Sequence, residues 1–262
     1  MNDQRVITRA IVRKPGSNFS AGLTTGKLGK PDYRLALSQH AQYCIALESC
    51  GLEITILEEH PQFPDGTFVE DVAVLTAESA ILTYPGANER RGEVDLIRPV
   101  LEDYFERIYT IAPPGTLDGG DICEAGDHYF IGISERTNPE GAHQLAEFLR
   151  LENYSASLVD IRAVPGILHL KSGLAFLGQN RLVVIDALSD QTAFRNYELI
   201  RVKPEEDYAA NCLLLNDKVL IADGFPDFRA ALEGYGYLLE ILNVSEFQKM
   251  DGGISCLSLR FS

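Results

Sequence analysis

Residues 121–133 read Asp-Ile-Cys-Glu-Ala-Gly-Asp-His-Tyr-Phe-Ile-Gly-Ile. Apolar side chains alternate on both sides of Ala125-Gly126-Asp127, a tripeptide whose glycine accepts the positive φ of a tight reversal. The stretch therefore predicts a β-hairpin. Three other segments share the pattern: 71–83 turning at Glu78-Ser79, 172–186 at Gly178-Gln179-Asn180, and 211–222 at Asn216-Asp217. A fifth pair is expected between 254–261 and the N-terminal strand 5–13. The hairpins start about 40 to 50 residues apart, a spacing that marks a repeat architecture.

Between the hairpins lie stretches of helical period. Tyr33–Cys50 carries Leu35, Leu37, Tyr43 and Leu47 and stops at Gly51. Arg90–Phe105, with Asn88 as its expected N-cap, places Val94, Ile97, Leu101 and Phe105 on one stripe. Asn138–Leu151 and Phe225–Leu238 are similar, the latter weakened by Gly234 and Gly236. Each unit thus reads hairpin, helix, returning strand. Five such ββαβ units around an axis make a closed α/β propeller, expected here as one domain over residues 1–262. Frequent hairpins argue against the alternative, an open doubly wound parallel sheet. Residues 14–31 stand apart: rich in Gly, Ser, Thr and Pro and without periodicity, they exceed the usual connection length. Such a loop is a lid or a tolerated excursion.

The charge narrows the partners. Lys and Arg number 23 against 38 Asp and Glu, a formal net charge of −15. So acidic a surface repels phosphate backbones and anionic lipid, which excludes nucleic acid and membrane surfaces as expected partners. The opening residues Met1-Asn-Asp-Gln-Arg-Val6 lack a leader pattern, so a cytoplasmic location is expected. Cys44, Cys50, Cys123, Cys212 and Cys256 are odd in number without CxxC spacing and read as reduced thiols. No zinc-type spacing of His and Cys occurs, so a dedicated zinc site is not expected.

In a closed repeat protein the same end of every hairpin faces one mouth of the axis. That end carries Asp65, Glu70 and Asp71, then Asp118 and Asp121, then His169 and Lys171, then Asn211, and finally Asp251 and Cys256. Singly these have ordinary explanations. Asp118-Gly-Gly-Asp121 is first a turn, His169 between two leucines first a core residue, and Cys256 in an alternating strand first an inert thiol. Together they make a chemical statement. Gathered carboxylates bind a delocalised cation, and guanidinium is the planar cation they fit. A thiol beside that cation is deprotonated by its field and can attack the central carbon.

Four segments, Asp65-Gly-Thr-Phe-Val-Glu-Asp71, Thr116-Leu-Asp-Gly-Gly-Asp121, Leu168-His-Leu-Lys-Ser172 and Asp251-Gly-Gly-Ile-Ser-Cys256, resemble the dimethylarginine dimethylaminohydrolases of the pentein superfamily. The similarity runs from about Arg9 to the C-terminus with the motifs in order. The resemblance implies the pentein fold, a five-bladed ββαβ propeller. It implies hydrolysis of Nω-methylated arginine to citrulline and an amine without a metal or organic cofactor, with Cys256 as nucleophile, His169 as general acid and base, and Asp118 orienting the histidine. Glu70 and Asp71 would bind guanidinium, with Phe68 shaping the pocket. Arg90 and Arg136 would hold the substrate carboxylate, and Asp65 with the backbone at Leu23 and Met250 the α-amino group. Asp251 joins them as a substrate-binding carboxylate, and residues 14–31 become the lid. The chain departs from the family at Met250, where a β-branched aliphatic is usual, and at the small Gly253. The alternatives are an arginine deiminase, in which a second carboxylate stands where Lys171 does here, another amidino-group hydrolase, and a non-catalytic guanidino-compound binder. Monomer and homodimer are both compatible with the sequence.

Overall fold

The computed structural model describes residues 5–262, which form five three-stranded sheets. In chain order the strands are β1 (Arg9–Arg13), β2 (Glu53–Leu57), β3 (Ala73–Leu75), β4 (Ser79–Leu82), β5 (Arg107–Thr110), β6 (Ile122–Ala125), β7 (His128–Ile133) and β8 (Ser155–Asp160). They continue as β9 (Leu174–Phe176), β10 (Arg181–Ile185), β11 (Glu198–Val202), β12 (Leu213–Leu215), β13 (Lys218–Ala222), β14 (Leu238–Leu242) and β15 (Leu259–Phe261). The sheets are β15-β1-β2, β3-β4-β5, β6-β7-β8, β9-β10-β11 and β12-β13-β14. In each, an antiparallel pair is followed by a parallel one, as a hairpin plus crossover requires. The first sheet is closed by both ends of the chain: β15 runs antiparallel to β1, pairing Arg9 with Phe261 and Ile11 with Leu259. The expected five-bladed propeller is what the chain forms.

The predicted turns sit where the chain reverses, with positive φ at Gly126, Gln179, Asn180 and Asn216. Helices α1 (Tyr33–Ser49), α2 (Glu93–Glu102), α3 (Pro139–Leu151) and α4 (Pro226–Gly234) supply four crossovers, and a short α5 (Ser245–Gln248) follows β14. Asp32 caps α1 by accepting from Leu35 N–H (3.0 Å), and Asn138 caps α3 through Gly141 N–H (2.8 Å). Three expectations need correction. Asn88 opens a 3-10 turn and does not cap α2, whose N-cap is Gly92. The last predicted helix ends at Gly234, because Gly236 takes φ +83° and releases the chain into β14. The β10–β11 crossover has no helix: two 3-10 turns, Asp186–Leu188 and Thr192–Phe194, fill its short connection.

The core lies between the blades. Leu182, Val183, Val184 and Ile185 of β10 are fully buried and share a cluster with Phe130, Leu174 and Val219 from neighbouring sheets. The first strands of the hairpins, β3, β6, β9, β12 and β15, all line an axial cavity of about 270 Å³. Every one of these inner strands is preceded by a 3-10 turn. The turns are Val69–Val72, Gly119–Asp121, Leu170–Ser172, Pro204–Ala210 and Ser255–Leu257. They gather at one end of the axis, where Val69–Val72 touches both Gly119–Asp121 and Ser255–Leu257. The polar residues singled out from the sequence ride on or beside these turns.

Candidate active site

A small cavity of about 30 Å³ opens at the turn-bearing end of the axis. It is lined by Leu23, Asp65, Phe68, Asp71, Arg90, Asp118, Arg136, His169, Met250, Asp251 and Cys256, together with Leu168 and Gly252. Eleven of the twelve proposed site residues are therefore side by side. Glu70 is the exception.

His169 Nε2 donates to Asp118 Oδ2 (3.1 Å), and Asp118 Oδ1 accepts the backbone N–H of Gly86 (2.9 Å). Beneath this pair, Asp121 accepts from Leu170 N–H (2.9 Å), Ser134 Oγ (2.6 Å) and Thr137 Oγ1 (2.6 Å), which fixes the turn that presents the histidine. Thr137 Oγ1 also accepts from Asp118 N–H (3.1 Å). Ser134 and Thr137 were not picked out from the sequence; their Ser-x-x-Thr spacing at the end of β7 was the available signal. Gly120 is required by contact: a β-carbon there would lie 2.7 Å from the His169 ring and 2.8 Å from Asp71 Oδ1.

Asp71 accepts Gly120 N–H (2.9 Å) through Oδ1 and Arg90 Nη1 through Oδ2. Arg90 is itself buried. Its Nε and Nη2 bind Glu93, and Nη2 also reaches the Phe68 carbonyl (2.9 Å). The expected partnership of Arg90 and Arg136 is thus uneven. Arg90 lines the cavity with most of its N–H groups committed to Asp71, Glu93 and Phe68, whereas Arg136 has no ion-pair partner among the described residues.

Glu70 stands apart from Asp71, the carboxylate with which the resemblance pairs it. Its Oε1 accepts from Lys171 Nζ (2.6 Å) and Arg260 Nη2 (2.8 Å), and Oε2 accepts from Ser255 Oγ (3.0 Å). All of these groups line the axial cavity behind the site. A 3-10 turn advances about 120° per residue, so adjacent Glu70 and Asp71 point to different cavities. Lys171, two residues after His169, likewise faces the axial side. It does not stand in the small cavity as a vacated carboxylate position.

Cys256 lies on the turn Ser255–Leu257, with its sulfur accepting Gly253 N–H (3.3 Å). Asn211 braces this turn: its Oδ1 accepts Ser255 N–H (2.9 Å) and its Nδ2 donates to Lys171 O (3.0 Å). A β-carbon on Gly253 would collide with the Asn211 amide, which explains the small residue there. A β-carbon on Gly22 would lie 3.2 Å from Met250 Cε, so Met250 packs beside the 14–31 segment.

The lid is closed. Phe19 is fully buried, its ring centroid 6.0 Å from that of Phe68 and 5.5 Å from that of Phe247. Leu23 N–H donates to both oxygens of Asp65 (3.1 and 3.0 Å).

Electrostatics set the protonation states. Burial pushes the Cys256 thiol up to about 12, and the charges of Glu70 and Asp71 push the same way. Burial alone would lower His169, but Asp71, the hydrogen bond to Asp118 and the charge of Asp121 overcome it and hold the imidazole up at about 9. Burial raises Asp121 to about 6 despite its three donors and the nearby His169. At neutral pH the ligand-free pair is therefore thiol and imidazolium. Asp71, Asp118 and His169 also bring ligand atoms within 4.8 Å of one another. Asp71 Oδ2 pairs with the Arg90 guanidinium, and Asp118 is committed to His169 and Gly86.

A family model described as N,N dimethylarginine dimethylhydrolase, eukaryotic, matches residues 25–221. The chain is 42% identical over 252 residues to the N(G),N(G)-dimethylarginine dimethylaminohydrolase of Pseudomonas aeruginosa, spanning 96% of this chain and 98% of that one. It is 32% identical over 253 residues to the enzyme of the same name from Streptomyces coelicolor, spanning 96% of each. The structure matches a cysteine-to-serine variant of the P. aeruginosa enzyme complexed with citrulline, with TM-score 0.95, 40% identity, and 98% and 100% of the two chains covered. The N-terminal domain of the cyanobacterial arginine dihydrolase ArgZ, at TM-score 0.85 and 17% identity with 97% of each chain covered, shares the fold. Sequence and structure together place the chain in the dimethylarginine dimethylaminohydrolase family.

Proposed function

We propose that the chain hydrolyses Nω-methylated arginine to citrulline and methylamine or dimethylamine through a covalent adduct on Cys256. The observation that carries this reading is one cavity holding a thiol, a hydrogen-bonded His169–Asp118 pair, Asp71, and the apolar walls Phe68, Leu168 and Met250. Asp71 faces the guanidinium, and the apolar walls take its methyl groups. The arriving cation lowers the thiol's pKa, the thiol's proton leaves to solvent, and the thiolate adds to the guanidinium carbon. His169, as imidazolium, protonates the departing amine as its C–N bond breaks, leaving an S-alkylthiouronium. Neutral His169 then takes a proton from water, whose hydroxide attacks the same carbon; the C–S bond breaks as the new hydroxyl's proton passes to the sulfur, and citrulline leaves. Asp118 orients the imidazole throughout.

Citrulline formation from asymmetric dimethylarginine, monomethylarginine, symmetric dimethylarginine, arginine and agmatine tests this. Turnover of the first two, with arginine much slower, is expected. Arginine or agmatine as best substrate moves the activity to a deiminase, and no citrulline from any of the five ends the hydrolase reading.

With Arg90 committed to Asp71 and Glu93, Arg136 is the cation offered to the substrate carboxylate. Arg136→Ala is expected to raise KM by about 10- to 100-fold with little change in kcat, the signature of a lost binding contact. Steady-state kinetics on monomethylarginine checks it; an unchanged KM assigns the carboxylate to another group.

A further inference from the structure

The cavity of about 30 Å³ has room for about two waters, far less than an arginine derivative. Substrate entry therefore requires the rim to move. Within the lid, attachment is divided. The N-terminal part is anchored: Phe19 is fully buried, Asn18 Nδ2 donates to Pro61 O (2.9 Å) and Ser17 N–H to Glu59 (2.7 Å). From Gly22 to Lys30 no side chain is buried. This tip is held by hydrogen bonds to the rim: Leu23 N–H to Asp65, Thr24 Oγ1 to Lys249 O (3.1 Å), and Thr25 N–H and Oγ1 to Asp251 Oδ2 (2.5 and 3.0 Å).

We propose that Asp251 and Thr25 form the latch of the lid, and that Asp251 is a positioning residue, not a ligand of the substrate. The assignment rests on the methylarginine reading for what the lid encloses. Asp65 already holds Leu23 N–H with both oxygens, so an incoming ammonium group has to share or displace that bond. Asp251 holds the lid while Asp65 makes the exchange. A charge-assisted pair of bonds to one carboxylate oxygen suits that task, since it can break without exposing apolar surface. Asp251 takes φ +59°, which aims its carboxylate at the lid and which asparagine also tolerates.

The test is Asp251→Asn, which keeps the backbone and weakens the latch, alongside Thr25→Ala at an exposed position. Hydrogen exchange of the substrate-free protein should show the amides of residues 23–26 exchanging about 10-fold faster in Asp251→Asn, with the sheet amides unchanged. Thr25→Ala should give a smaller effect of the same sign. In turnover, KM should rise by about 3- to 10-fold while kcat holds or increases. Unchanged lid exchange in both variants overturns the latch, as does a lower kcat at constant KM. Because exchange is read without substrate, its result stands apart from whether methylarginine is the substrate.

Discussion

Cys256→Ser is expected to lower citrulline formation by about 10⁴-fold or more while leaving the fold intact. Serine keeps the shape of the Ser255–Leu257 turn and can still accept Gly253 N–H. It cannot form an anion at neutral pH, even beside a guanidinium. The thiol's pKa does not single this residue out, for burial also raises Cys44 to about 11 and Cys123 to about 12. What separates Cys256 is company: of the five thiols it alone lines the cavity with Asp71, Asp118 and His169. A cationic alkylating agent should therefore modify Cys256 in the native protein faster than a neutral one of equal size. Substrate analogues should protect it. A serine variant with matching unfolding midpoint and near-native turnover would falsify the nucleophile assignment.

The fold was legible because turns and periods are local. Gly126, Gln179, Asn180 and Asn216 are residues that tolerate positive φ, and they stand between alternating apolar runs. The helix missing from the β10–β11 crossover was less legible, since only context told how residues 186–197 would be used. The site was legible as a set of segments, not as a set of directions. Glu70 and Asp71 are neighbours in sequence, yet the 3-10 turn sends one carboxylate to Lys171 and Arg260 and the other to Arg90 and Gly120. The same geometry turns Lys171 away from the cavity that His169 faces. Arg90 carried a warning in its spacing, because Glu93 three residues on is a natural helical partner. Its Asp71 contact is tertiary and had no sequence signal.

His169→Gly is expected to lose turnover by about 10³-fold or more, since both the proton for the leaving amine and the base for water disappear. The pH profile of the unmutated enzyme makes the sharper test. The raised imidazole is protonated in the free protein at neutral pH and gives up its proton as pH rises through about 9. Below that value the acid needed for the first step is present; above it kcat/KM should fall, about tenfold per pH unit where one proton governs. Asp118→Asn withdraws one of the charges that hold the imidazolium up while keeping the shape of the hydrogen bond. It should move the alkaline limb toward lower pH and lower the plateau. The decisive comparison is between those two curves. A limb that stays in place in Asp118→Asn assigns the titration to some other group, and a profile flat through pH 9 to 10 in the unmutated enzyme removes the imidazolium from the first step.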